Sequence, residues 1–256
     1  MTANSVLITD IAGGVATITL NRPAARNALN AELLEALRSG VAAVDSRTDV
    51  AVIVITGADP AFCAGLDLKA LADGSQHLGA GGSSEIPATP FEPTKTPVIG
   101  AVNGAAVTGG LEIALNCDVL IASEHATFAD THARVGVMPG WGLSVRLPMA
   151  IGYGRAKQMS FTGNFVDAAT ALSWGLVNEV VPHQELVARA QQLAADIASM
   201  PAAALAEYRK LYEDNADLRA ALVHEGTVSS AFAFDREALA ANRASIVDRG
   251  KSQTRR

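Results

Sequence analysis

The chain has only two cysteines, Cys63 and Cys117, in 256 residues. Two thiols lying in separate apolar runs make neither a disulfide framework nor a metal-ligand cluster, and both read as reduced, buried thiols. A basic excess is also missing: 20 Lys and Arg stand against 26 Asp and Glu, a formal net charge of −6. Non-specific nucleic-acid binding needs a basic footprint and is excluded on this balance, whereas a local site for a polyanionic small molecule is not. No run of about 18 apolar residues occurs, and the opening MTANSVLITD has no basic segment leading into an apolar one. No membrane partner is therefore expected, and the expected location is cytoplasmic. No GxGxxG follows a strand pattern, which argues against nicotinamide binding, and no His or Cys set has metal-ligand spacing. What is present is a globular balance, 49% apolar and 18% charged, long enough for one large domain with or without a helical appendage.

Residues 5–11 and 15–20 (VATITL) alternate as strands around Gly13-Gly14, a hairpin-like opening. After the Pro- and Asn-rich NRPAARNALN, Leu34, Leu37, Val41 and Val44 recur at helical spacing. The runs 50–57 (VAVIVITG), 96–102 (TPVIGAV) and 117–123 (CDVLIAS) are rich in β-branched residues, as in strands buried on both faces. Alternating with helical patterns, they predict an α/β domain with parallel sheets. Residues 74–96 are Gly-, Ser- and Pro-rich and aperiodic, which marks a mobile loop or part of a binding pocket. Beyond about residue 183 the pattern is helical, with one stripe at Leu186, Ala190, Leu193 and Ile197 and another at Leu205, Tyr208 and Leu211. The chain thus divides into an α/β core, 1–182, and a helical region, 183–256, that packs on the core or makes an oligomer contact.

VITGADPAFCAGLDLKAL and VIGAVNGAAVTGGLEIAL share one build: buried strand, glycine, small residues, helix start. The first N–H groups of a helix lack internal partners and carry the positive end of its dipole. Glycine at such a turn lets a ligand oxygen approach them. Two facing turns would offer two N–H groups to one oxygen, an oxyanion hole, with Ala64 and Gly109 as candidate donors; either turn alone reads as no more than a tight turn. Glu112, in the first turn after Gly109, lies in the apolar run GGLEIALNC. A carboxylate there costs several kcal/mol to bury unless compensated, so it reads as functional or, alternatively, as a capping glutamate. No serine follows the Gly109-Gly110 turn, which removes a serine hydrolase.

Together FCAGLDL, NGAAVTGGLEIALNCD, ATFAD, GVMPGWG and AATALSWGLVNEVVP, with LNRPAARNALN near the start, resemble the crotonase (enoyl-CoA hydratase/isomerase) superfamily, in order, over about residues 5–182. The resemblance implies a spiral of ββα units, a C-terminal helical region that assembles trimers or dimers of trimers, and an acyl-CoA ligand with no separate cofactor. It implies a thioester oxygen between the N–H groups of Ala64 and Gly109, and coenzyme contacts from Ala64, Gly65, Leu66, Asp67 and Leu68. Arg22 or Arg26 would meet its phosphates, although both also read as solvated charges.

The hydratases of that family use two glutamates. The first matches Glu112, but at the second position this chain has His132. An imidazole can donate a proton to an α-carbon, with Glu112 acting as base toward water, or it can be a neutral residue that only shapes the pocket. If residues 126–132 are extended, Phe128, Asp130 and His132 share a face, so Asp130 would orient His132 or replace the missing carboxylate. Trp141 reads as a pocket wall. The leading expectation is a hydratase-like lyase. The alternatives are another crotonase-type reaction (isomerase, thioester hydrolase or decarboxylase) and an acyl-CoA or lipid binder with little turnover.

Overall fold

The computed structural model describes residues 5–72, 89–213 and 216–231, with isolated positions between 237 and 251. Strands β1 (Leu7–Ala12) and β2 (Val15–Leu20) form the expected antiparallel hairpin, turned by Gly13 and Gly14 at φ 58° and 80°. Helix α1 (Ala31–Asp45) starts where the Asn30 side chain accepts the Leu33 N–H at 2.9 Å. Its buried stripe is Leu33, Leu37, Val41 and Val44; Leu33 takes the inner position expected for Leu34, which is only partly buried.

Three ββα units follow. They are β3 (Val52–Gly57), β4 (Ala61–Cys63) and α2 (Leu68–Ala72); β5 (Val98–Val102), β6 (Ala105–Val107) and α3 (Gly109–Leu115); and β7 (Val119–Ser123), β8 (Thr127–Ala129) and α4 (His132–Val135). Then come α5 (Leu143–Ile151), α6 (Tyr153–Thr162), β9 (Val166–Asp167), α7 (Ala168–Trp174), β10 (Glu179–Val181), α8 (Leu186–Ala198), α9 (Ala202–Glu213) and α10 (Ala216–Ala231). The first strand of each unit joins a six-stranded sheet, ordered β1-β2-β3-β5-β7-β10 and parallel from β2 onward. The short second strands build another sheet, β4-β6-β8-β9. Three-residue strands are too short to leave a period in the sequence, so the repeat was readable but its second layer was not.

β3 shows why these strands carry unbroken apolar runs. Ile53 and Ile55 pack into the cluster containing α1 and α3 residues, while Val52 and Val54 face Leu186, Ala190 and Ala194 of α8. Each such side chain contributes about 1.5–3 kcal/mol on burial. The first stripe of the helical region thus lies on the sheet, but Tyr208 and Leu211 of the second are 61% and 75% exposed. The expected extended segment 126–132 is corrected: β8 ends at Ala129 and α4 begins at His132, so the parity argument for Asp130 and His132 lapses. Of the 74–96 segment, 74–88 lies outside the described residues; beyond it, Phe91 is buried in the core. Among the described residues no helix is long and apolar enough to cross a membrane.

The two glycine turns meet. A Cβ on Gly110 would lie 2.1 Å from the Cys63 carbonyl oxygen, and one on Gly65, whose φ is +87°, would lie 2.7 Å from the Val107 carbonyl oxygen. Both obstacles are backbone, so nothing flexible can give way. Gly110→Ala is therefore expected to lower the unfolding free energy by about 2 kcal/mol or more, as forced overpacking does. Urea denaturation measures this, and an unchanged midpoint would refute the close contact.

Candidate active site

Glu112 and His132 are both buried, at 3% and 4% relative exposure. Oε2 of Glu112 lies 3.4 Å from Nε2 of His132. Oε1 accepts the backbone N–H of Trp141 at 2.8 Å and of Gly140 at 3.2 Å. Glu112 therefore does not cap its own helix; two amides from the 140–141 turn and one imidazole offset the cost of burying it. Asn116, one turn further along α3, donates from Nδ2 to the Trp141 carbonyl oxygen at 2.9 Å and fixes the same turn.

Asp130 does reach His132, by a local route rather than along a strand. Its Oδ1 accepts the His132 backbone N–H at 3.1 Å and the ring Nδ1 at 2.7 Å. That second bond puts a proton on Nδ1 and leaves Nε2 as the position that titrates toward Glu112. Burial disfavours charge on His132, but the Glu112 charge and the Asp130 hydrogen bond outweigh it and push the imidazole up to about 10. Burial also opposes ionisation of Asp130, yet its bond to His132 holds it below the usual carboxylate range.

One expected oxyanion donor is corrected. The Ala64 N–H donates to the Arg26 carbonyl oxygen at 3.0 Å and is spent within the chain. Two residues on, Leu66 forms a parallel bridge with Leu29, in which the Gly65 carbonyl and the Asp67 N–H make the bonds. In such a bridge the central residue's own N–H points to the other side. Among the described residues, the Leu66 and Gly109 N–H groups have no acceptor. A Cβ on Gly65 would lie 3.5 Å from the Gly109 nitrogen, so the two turns come together, with the Leu66 amide rather than that of Ala64 left without an internal acceptor.

Thr108, just before Gly109, has φ 54°, rare for a β-branched residue. Its N–H bonds to the Ala129 carbonyl oxygen at 2.9 Å and its hydroxyl lies 2.6 Å from that of Thr131, contacts that hold the strained turn. Both threonines line a cavity of about 350 Å³ together with Leu66, Leu68, Val107, Val135 and Val137, and with Arg26, Arg134 and Lys251 in its wall. Ala64 also lines it, as a side chain rather than a donor. Arg22 is turned elsewhere: it pairs with Asp67 at 3.2 Å and donates to the Ala28 carbonyl oxygen. The Trp141 indole packs against Gly109, with Cζ3 3.2 Å from where a Cβ would stand, and it is the Trp141 amide that touches Glu112. Among the described residues no group of three or more His, Cys, Asp or Glu side chains could hold a metal ion.

Residues 10–233 match the family model of enoyl-CoA hydratase/isomerase. The chain belongs to that family. A probable enoyl-CoA hydratase of Mycobacterium bovis is 41% identical over 192 residues, covering 74% of each chain. The short-chain-enoyl-CoA hydratase of Clostridium acetobutylicum is 37% identical over 204 residues, covering 78% of this chain and 77% of its own. A crystal structure of an enoyl-CoA hydratase from Mycobacterium avium superposes with a TM-score of 0.80 at 48% identity, covering 89% of this chain and 96% of the other. In this enoyl-CoA hydratase/isomerase family member, Glu112 sits one turn from the unspent Gly109 amide, and His132 stands across from it.

Because its pKa is raised to about 10 from 6.5, the His132 imidazole is expected to stay charged across the neutral range. Nitrogen-15 NMR of the histidine rings should show one ring that does not titrate between about pH 5 and 8.5. The stability this proton contributes is complete below the unfolded value and is lost as pH rises through the folded one. A His132 ring that titrates near its ordinary value would refute the coupling.

Proposed function

We propose that this protein adds water to a 2-enoyl-CoA, with Glu112 as base and His132 as acid. The observation that carries the proposal is the contact of His132 Nε2 with Glu112 Oε2 at 3.4 Å, its Nδ1 held by Asp130, beside the free amides of Leu66 and Gly109. The thioester oxygen accepts from those two amides, which stabilise the enolate more than the ground-state carbonyl. Glu112 takes a proton from water as its oxygen bonds to the β-carbon. The electron pair of the double bond moves onto the thioester oxygen as enolate. Carbon–oxygen double-bond re-formation then draws the His132 Nε2 proton onto the α-carbon. The proton now on Glu112 returns to His132 across their direct contact, which restores both groups. Asp130 keeps the Nδ1 proton in place throughout, so only Nε2 exchanges.

The apolar cavity takes the thioester and its pantetheine arm, and of the two expected arginines Arg26 is the one in its wall, placed for a coenzyme phosphate. The coenzyme A thioester is the substrate, and no further cofactor enters the steps. Residues 1–182 carry the reacting groups of this site, and the helical region from 183, which adds Lys251 to the cavity wall, assembles homotrimers or dimers of trimers, a role supported by the exposed Tyr208 and Leu211 on α9.

The purified protein should consume crotonyl-CoA with loss of the conjugated-thioester absorbance and gain of one water by mass spectrometry. Glu112→Gln and His132→Ala should each lower kcat by about 10²–10⁴-fold, the usual contribution of a positioned acid or base. Unchanged hydration in His132→Ala removes its acid role. Tight acyl-CoA binding with no turnover of any enoyl-, hydroxyacyl- or malonyl-type thioester identifies a binding protein instead.

A further inference from the structure

Glu225 is a buried carboxylate on α10, far along the chain from the site residues, at 6% exposure. Its Oε1 accepts the N–H of Gly142 and its Oε2 accepts the N–H of Ser144 at 2.5 Å. These amides open α5, whose N-cap residue Gly142 has no side chain to satisfy them. A carboxylate from another helix therefore does so, favoured by the dipole. One turn further along the same face of α10, Ser229 Oγ donates to the Met138 carbonyl oxygen at 3.2 Å. Leu222 packs on Gly142, its Cδ2 2.9 Å from where a Cβ would stand. Residues 222, 225 and 229 thus grip both ends of the segment 138–144.

That segment is the one whose Gly140 and Trp141 amides hold Glu112. Four N–H groups within five residues are divided between two buried carboxylates on different helices. Where the turn sits bears on where Glu112 Oε2 points, and Glu225 holds the C-terminal side of that turn while Asn116 holds its middle. Glu225 also feels the nearby charge: burial pushes it above the usual carboxylate range, and the Glu112 charge adds to the shift. We propose that Glu225 is a positioning residue that acts through the 138–144 turn to aim Glu112 at His132.

Its activity readout rests on the hydratase proposal above, so the test includes a second readout that does not. In the full chain, histidine-ring NMR follows the His132 titration while crotonyl-CoA hydration is assayed, for Glu225→Gln, Glu225→Asp and Ser229→Ala. Thr227→Ala, whose exposed hydroxyl bonds only within α10, is the control. Gln loses the charge and one acceptor; Asp keeps the charge but loses the reach. Both should lower kcat by about tenfold, with KM within about twofold, and move the His132 midpoint down, because a displaced acid–base group reacts slowly even where substrate still binds. Ser229→Ala should do the same to about threefold, and it decides the matter if neither Glu225 variant folds. Folded variants with the wild-type titration and kcat overturn the proposal. So does an Asp variant that behaves as wild type while Gln does not, because charge rather than position would then be at work. A wild type that hydrates no enoyl-CoA, with titrations that shift as stated, overturns the hydratase function and leaves the positioning role standing.

Discussion

A carboxylate taken out of water is the constraint around which this molecule is arranged. Glu112 is almost wholly enclosed, and its partners are two main-chain amides and one charged imidazole. Removing one partner of such a group leaves a buried charge uncompensated, which is far more damaging than losing a surface ion pair. The fold meets this demand by bringing the start of α3, the residues before α4 and the turn before α5 together at one point. The proposed acid–base pair is then a by-product of solvation: the imidazole that makes Glu112 tolerable is the group proposed to exchange a proton with it.

The neighbouring amides obey a different rule. Along most of the chain, backbone donors are matched internally, as buried polar groups must be. The exceptions at Leu66 and Gly109 arise because a parallel bridge at Leu29 consumes the groups flanking Leu66, while the Gly109 amide lies ahead of the first intrahelical bond of α3, from the Glu112 N–H to the Thr108 carbonyl oxygen. Convergence of the two then depends on Gly65 and Gly110, where any side chain would strike main chain across the interface. Thr108, held at a positive φ by its bonds to Ala129 and Thr131, orients the second amide. Strain and unspent donors occur at the same place, as expected where structure is bent toward use.

Much of this was legible in the sequence. Alternation around Gly13-Gly14, the β-branched runs and the twice-repeated strand-to-turn pattern gave the hairpin, the parallel sheet and the facing turns, and Glu112 stood out because an acid in GGLEIALNC demands a reason. What was not legible has a common cause: it concerns the direction of a backbone group. Ala64 was the donor expected in FCAGLDL, and nothing in that stretch shows that the Arg26 carbonyl, brought in from the opening loop, takes up its N–H. Trp141 attracts notice for its indole, yet its amide is what meets Glu112. Asp130 and His132 were rightly joined for the wrong reason, since a turn at the head of α4 and not a shared strand face connects them. Glu225 left no signal, because α10 carries no clear apolar stripe and a carboxylate on such a helix looks like any solvated charge.

The bridge at Leu29 has one more consequence. A donor made of main chain does not depend on the identity of the residue that carries it, provided that residue is not proline. Position 66 can accordingly exchange its side chain and reshape the cavity wall while the amide beneath it goes on presenting the same hydrogen. Position 109 has less room: a Cβ there would stand 3.2 Å from Trp141 Cζ3 and 3.3 Å from Leu29 Cδ1, so one of those side chains must first give way by a few tenths of an ångström. A change of side chain therefore enters more easily at position 66 than at position 109.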